Sequence, residues 1–231
     1  IRGNDATRFK RALFNFGIRL ARAIGKEKAR TGGNHTAKSR VFSWIGEPLV
    51  FRAIKERIGL RRCRYSASGA AAIAPEVLEF FMGIGVPVFE LYGMTENAAV
   101  ATCTFAGRNK LGTVGEPYAD IGLRLDPETG EIQTKHPGVF VGYWNKPDKT
   151  AETFTEDGWL MTGDVGEWVD GTHVKIIDRI KHIIITSGGK NISPSEIENS
   201  LKTSMFVKEA MVIGDGRKFL SALIGIELET V

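Results

Sequence analysis

Apolar positions change their spacing along this chain, and each change marks a different kind of element. Near the amino terminus Phe9, Leu13, Phe16, Leu20 and Ile24 fall at intervals of three and four, with Arg8, Arg11, Arg19, Arg22 and Lys26 among them. That spacing predicts an amphipathic helix over 7–28 with a basic outer face. The stretch TGGNHTAKSR at 31–40 breaks the pattern and reads as a flexible connector. It lacks the Gly-Lys-Ser/Thr ending and the preceding strand of a phosphate loop. Residues 63–67 then read as a strand and 75–82 as a helix opened by Pro75 and stopped at Gly83 and Gly85. A second apolar strand follows over 86–91, with Pro87 at its start. Two strands joined through a helix are expected to lie parallel with a right-handed crossover, setting the loop Ser68-Gly69-Ala70 beside Tyr92-Gly93.

Beyond Glu96 the apolar runs shorten and turn signals multiply, at Asp126-Pro127-Glu128-Thr129-Gly130, Asp157-Gly158 and Asp170-Gly171. This predicts an antiparallel region built of hairpins. After a boundary near Arg179-Ile180-Lys181 come a strand over 183–186, a loop Ser187-Gly188-Gly189-Lys190, and a helix announced by Ser193 with Glu196 as a capping box. Strands over 210–214 and 222–227 complete a small α+β unit.

At 231 residues the chain can form one large or two modest cores. It shows no apolar run of transmembrane length and no signal-peptide pattern. Cys63 and Cys103 fit no metal spacing and read as reduced thiols of a cytoplasmic protein. Because the sequence opens on Ile1, it is not expected to begin at a natural start. The net charge of +4 conceals an asymmetry: residues 1–64 hold 17 Lys or Arg against 4 Asp or Glu. A basic half of this kind attracts phosphates, coenzyme A or an anionic membrane surface. The 7–28 helix suits peripheral membrane contact or, more simply, packing on its own domain with a solvated basic face. No aromatic RNA-binding signature or DNA-binding helix pair accompanies it, so a nucleic-acid partner is not expected.

The richest candidate chemistry lies in FELYGMTENAAV at 89–100. Here a strand ends on an aromatic ring (Tyr92) and a glycine (Gly93), followed by Met94, a hydroxyl (Thr95) and a carboxylate (Glu96). A ring can stack, a hydroxyl can bond a phosphate oxygen and a carboxylate can hold Mg2+, a set suited to a nucleoside phosphate. Read alone, the stretch is equally an ordinary strand-to-loop turn with a half-buried tyrosine. The small residues at 68–72 would leave room for a planar base or an acyl group, or would serve tight helix packing. Ligands of open α/β sheets bind at the carboxyl ends of such strands.

Further blocks follow in order: Gly138-Val139-Phe140 with Gly142-Tyr143-Trp144-Asn145-Lys146-Pro147; Gly158-Trp159-Leu160 with Thr162-Gly163-Asp164; Asp178-Arg179-Ile180-Lys181; and Ser187-Gly188-Gly189-Lys190-Asn191-Ile192-Ser193-Pro194. Together with Tyr92-Gly93-Met94-Thr95-Glu96 they resemble the acyl-adenylate-forming (AMP-dependent synthetase/ligase) superfamily, and most of all its long-chain fatty-acyl-CoA synthetases. The resemblance is clear from about residue 41 onward and implies an α/β fold. Residues 1–180 would be the carboxyl-terminal part of a large adenylation domain, a parallel α/β sheet plus an antiparallel β subdomain, with 1–40 its basic helix and loop. Residues 181–231 would be a truncated small α+β domain.

The resemblance also implies roles. Tyr92 would stack on adenine, with the backbone of Gly69, Ala70, Glu90 and Leu91 lining the base and Gly93 and Met94 beside it. Thr95 would contact phosphate and Glu96 would coordinate Mg2+. Asp164 would accept from the ribose hydroxyls and Arg179 would donate near ribose and phosphate. Taken singly, Asp164 is a turn aspartate and Arg179 a surface ion-pair partner. Lys181 would be the hinge, and Gly188 and Gly189 would border the pantetheine tunnel of coenzyme A. The implied reaction joins a fatty carboxylate to ATP and then to coenzyme A without a side-chain nucleophile, so none of His35, His136, His173 and His182 is needed as a base.

The family's phosphate loop, ending in Pro-Lys-Gly, would precede residue 1, and its carboxyl-terminal lysine would follow Val231. The chain is therefore expected to be a fragment with impaired adenylation. Two other readings stay open, a non-catalytic nucleotide- or lipid-binding module and a ligase for a different carboxylic acid.

Overall fold

The computed structural model describes residues 8–71 and 73–228, except for the side chain of Phe9. Residues 1–7 of the basic segment, Ala72 of the small-residue loop and residues 229–231 lie outside the described residues. The chain divides into two compact units, Ile1–Tyr92 with Thr102–Glu116, and Gly93–Ala101 with Pro117–Val231.

In the first unit α1 (Arg8–Ala29) is the expected amphipathic helix, and Leu13, Leu20 and Ile24 of the expected stripe pack in the core while Phe16 does not. Phe16 is 50% exposed, while Ala21 and Ile24 are fully buried and Gly17 and Gly25 lie on the same face. Glycine and alanine carry little hydropathy signal, yet they set this packing through close approach. A Cβ on Gly25 would stand 2.0 Å from Glu79 O, and one on Gly83 1.9 Å from Ala21 O. Lys28 follows on this buried face and donates from Nζ to Met82 O at 3.3 Å. Burial, with help from Lys55, lowers its ammonium below the usual range.

The segment 31–40 is only partly the connector expected. Thr36 accepts a hydrogen bond from Ser39 N and caps α2 (Ala37–Gly46), so the helix begins within it. A π-helical turn, Glu47–Phe51, then leads into α3 (Arg52–Arg57). Pro48 sits in that turn and has no N–H to give, which suits the widened ring. Val50, Phe51 and Ile54 from this segment join Ala21, Ile24, Ile84 and Val86 in one core.

β1 (Ser66–Ser68), α4 (Pro75–Gly83) and β2 (Val88–Tyr92) form the anticipated crossover. β1 and β2 are parallel, with Ser68 opposite Glu90. Both strands begin later than expected, because Cys63 closes a turn on Leu60 and Pro87 cannot donate to a ladder. The sheet is mixed rather than wholly parallel. β3 (Thr102–Cys103) runs antiparallel to β2, and β4 (Glu116–Pro117) completes the order β1-β2-β3-β4.

In the second unit β5 (Gly122–Leu125), β6 (Glu131–Lys135), α5 (Pro147–Ala151), β7 (Leu160–Val169) and β8 (His173–Arg179) realise the predicted hairpins. The strands make one antiparallel sheet in the order β5-β6-β7-β8. Asp126 Oδ1 accepts from the backbone N–H of Glu128 and Thr129, closing the first turn. Asp170 and Gly171 both have positive φ, 51° and 67°, within the three-residue turn that joins Val169 to its partner His173. β9 (Ile184–Ile185) and β10 (Asn191–Ile192) form a short hairpin, α6 (Pro194–Lys202) starts at the cap Ser193, and β11 (Val207–Ile213) pairs antiparallel with β12 (Ser221–Ile226). The Asp178 carboxylate accepts from Ser193 Oγ at 2.7 Å and Ser195 N at 3.1 Å, tying β8 to the start of α6. Among the described residues no helix is long and apolar enough to cross a membrane.

Candidate functional site

The candidate residues divide between the two units. In the first, parallel pairing brings the loop after β1 alongside the end of β2. A Cβ on Gly69 would meet Leu91 O at 3.0 Å, so only glycine lies comfortably there. Ala70 next to it takes a left-handed φ of 66°, and both residues are exposed. Glu90 is locked to β3's flank: its N–H donates to Thr104 Oγ1 at 2.8 Å and its carbonyl accepts from Thr104 N at 2.9 Å. Its carboxyl group is buried, with Oε2 lacking any hydrogen-bond partner among the described residues. Burial pushes that carboxyl up to about 7. Tyr92 is 7% exposed, so its ring offers less open face than a stacking platform would.

In the second unit the chain from Gly93 makes a compact turn. Thr95–Asn97 is one turn of 3₁₀ helix, and Asn97, fully buried, accepts from Met94 N at 2.8 Å through Oδ1. Ala99 N returns to Met94 O at 2.8 Å. Ala98 and Ala99 both hold φ near 57°, a conformation that costs non-glycine residues energy and is concentrated at functional sites. A Cβ on Gly93 would fall 2.3 Å from the Ala99 carbonyl carbon, so no other residue fits. This turn leaves Thr95 exposed and Glu96 half-buried. Glu96 is held at both ends: its carbonyl accepts from Phe140 N at 2.7 Å, and its Oε1 accepts from Tyr143 Oη at 2.7 Å.

Asp164 on β7 and Arg179 on β8 are direct cross-strand partners. Arg179 Nε approaches Asp164 Oδ1 at 3.3 Å, with the arginine side chain 70% exposed and the aspartate 14%. The acceptor and the donor expected around a ribose thus stand together. The same contact is also the surface ion pair that Arg179 would make on its own account. Lys181 is exposed in the 3₁₀ turn that follows β8, three residues beyond the Asp178 contacts to Ser193 and Ser195. Gly188 and Gly189 sit in the β9–β10 loop, where a Cβ on Gly189 would meet nothing within 4 Å and one on Gly188 only Thr186 Oγ1 at 4.0 Å.

Among the described residues no cluster of three or more His, Cys, Asp or Glu could hold a metal ion. Among the described residues Glu96 thus offers a carboxylate outside any such cluster. That is the donor set expected for Mg2+ carried mainly by phosphate oxygens and water. Asn97, Phe140 and Tyr143 were not assigned roles from sequence. Phe140 and Tyr143 do stand in the ordered block at 138–147, which was the available signal.

The model of a family described as AMP-binding enzyme matches residues 20–144, and that of the AMP-binding enzyme C-terminal domain matches residues 181–230. A putative fatty-acid–CoA ligase, fadD11, of Mycobacterium tuberculosis is 37% identical over 208 residues, covering 89% of this chain and 36% of that protein. The long-chain-fatty-acid–CoA ligase ACSBG2 of Xenopus laevis is 34% identical over 212 residues, covering 90% and 29% respectively. Among solved structures, O-succinylbenzoate coenzyme A synthetase from Bacillus subtilis in complex with ATP and magnesium ion matches with a TM-score of 0.64 at 30% identity, covering 71% of this chain and 37% of that one. The same enzyme with its acyl-adenylate intermediate matches with a TM-score of 0.68 at 28% identity, covering 77% and 40%. The chain thus spans about a third of the length of these curated relatives.

Proposed function

Because this chain belongs to the AMP-binding enzyme family, whose models match it over 20–144 and 181–230, we propose that it serves ATP-dependent activation of a long-chain fatty acid. The fatty carboxylate oxygen attacks the α-phosphorus of ATP and the bond to the β-phosphate breaks, giving acyl-adenylate and pyrophosphate. The thiol of coenzyme A then attacks the acyl carbon, loses its proton and expels AMP. Neither step needs a side-chain nucleophile, so catalysis rests on positioning and on charge stabilisation. The names of the ligases from Mycobacterium and Xenopus favour a fatty acid as the carboxylate.

In this reading the backbone from Gly69 to Ala70 and from Glu90 to Met94 lines the adenine end. Asp164 and Arg179 receive the ribose and the neighbouring phosphate, with Arg179 exchanging part of its ion pair for the ligand. Thr95 donates to phosphate. Mg2+, bound by Glu96 and phosphate oxygens, would offset charge on the departing pyrophosphate. In this reading Lys181, where the match to the C-terminal-domain model begins, is the hinge between a larger and a smaller domain, and the open space around Gly188 and Gly189 admits the thiol arm. The single observation carrying the reading is the Thr95–Asn97 turn, whose buried Asn97 and strained Ala98-Ala99 hold Glu96 in a fixed place.

ATP–pyrophosphate exchange measured with fatty acids of graded length tests it. Weak exchange that requires a long-chain acid and disappears in Glu96→Ala is expected. ATP binding without exchange for any acid would instead leave a nucleotide-binding module.

A further inference from the structure

The side chain that holds Glu96 comes from far along the chain and is itself firmly fixed. Tyr143 Oη donates to Glu96 Oε1 at 2.7 Å across 47 residues of sequence. The backbone N–H of Tyr143 donates to Thr150 Oγ1 at 2.9 Å. Its ring meets the edge of Phe140 at a centroid distance of 4.9 Å and an interplanar angle of 71°, and Lys149 Nζ lies 5.2 Å from its centroid. Phe140 in turn stacks on Phe154 at 5.7 Å and holds the Glu96 carbonyl through its own N–H. The segment 140–143 thus grips Glu96 by main chain and side chain together. No other hydrogen bond engages the Glu96 carboxylate among the described residues.

A glutamate on a surface turn samples several rotamers, and ordering it on binding costs free energy. A phenol that fixes one oxygen removes that cost and aims the other oxygen outward. We propose that Tyr143 is a positioning residue for the Glu96 carboxylate, holding Oε1 so that Oε2 is presented to a divalent cation on the bound nucleotide. This rests on the nucleotide-activating reading above. Tyr143 touches neither nucleotide nor cation; it acts through Glu96, as outer partners of metal ligands do.

The test uses the 231-residue chain with Mn2+ as probe, titrated in the presence of ATP and followed by water-proton relaxation. Tyr143→Phe keeps the ring contacts with Phe140 and Lys149 and loses only the hydroxyl. It is expected to weaken Mn2+ binding about 10- to 100-fold, with metal-free ATP affinity unchanged. In a sample labelled at the tyrosine Cζ carbon, the resonance missing from Tyr143→Phe is expected to shift in Glu96→Gln. Equal Mn2+ affinity in wild type and Tyr143→Phe overturns the proposal while leaving the nucleotide reading intact. A Tyr143 resonance indifferent to Glu96→Gln likewise overturns it. If the wild-type chain shows no Mn2+-dependent ATP binding, the nucleotide reading falls and the proposal with it.

Discussion

Glu90 carries a carboxyl group that burial raises to about 7, with no hydrogen-bond partner for Oε2 among the described residues. The folded state therefore holds this proton more tightly than the unfolded chain does. Its stabilising effect is complete below the unfolded value of about 4.5 and is lost as pH rises through about 7. Urea denaturation of the first unit should accordingly show stability falling between pH 5 and pH 8, and Glu90→Gln should flatten that slope. At pH 8 the variant is expected to be the more stable by about 2 kcal/mol. Gly93 gives a second expectation at this scale. Because its Cβ would lie 2.3 Å from main chain at Ala99, Gly93→Ala should destabilise the second unit by about 3 kcal/mol, read from its thermal midpoint. The glycine and the carboxylate of this motif were legible in sequence because their residue types are chemically distinctive. Tyr143 was not, since nothing in a linear pattern reports a hydrogen bond closed across 47 residues. Asn97 was missed for a related reason: a buried asparagine caps a turn locally, and its burial depends on the neighbouring Thr134, reached at 3.4 Å from Nδ2.

Helices and strands show where hydropathy suffices and where it fails. The parallel β1–β2 pair, the hairpins at Asp126–Gly130 and Asp170-Gly171 and the Ser193 cap were all readable, because proline, glycine and capping residues act through local backbone chemistry. The face of α1 was only partly so: Leu13, Leu20 and Ile24 pack as their spacing implies, whereas Gly17, Ala21 and Gly25 make contact by being small rather than by being apolar. The consequence can be measured. Gly83→Ala places a Cβ 1.9 Å from Ala21 O and should cost the first unit about 3 kcal/mol in chemical denaturation. Phe16→Ala, at a half-exposed site, should change stability by less than about 0.5 kcal/mol. The helical start at 37–40 is masked in the sequence because glycine-rich TGG dominates the segment, although Thr36 supplies an effective cap. The basic outer face of α1 is solvated while its inner face packs within its own unit.

Over the whole molecule, one family's models match both the stretch that carries the Thr95–Asn97 turn and the stretch that begins at Lys181. The reading assigns the two stretches to successive half-reactions, and this separation is testable. Gly188→Ala introduces a Cβ with no atom nearer than 4.0 Å, so stability should not change. Thioester formation from added acyl-adenylate should slow while adenylate formation is spared. Whether this chain holds a nucleotide through Glu96 and Asp164 is read by calorimetric titration with ATP, with and without Mg2+. Expected are binding that Mg2+ strengthens in the wild type, loss of the Mg2+ dependence in Glu96→Ala, and at least tenfold weaker ATP binding, about 1.4 kcal/mol, in Asp164→Ala. Binding that ignores both substitutions, or no binding of ATP by the wild type, would contradict the nucleotide reading.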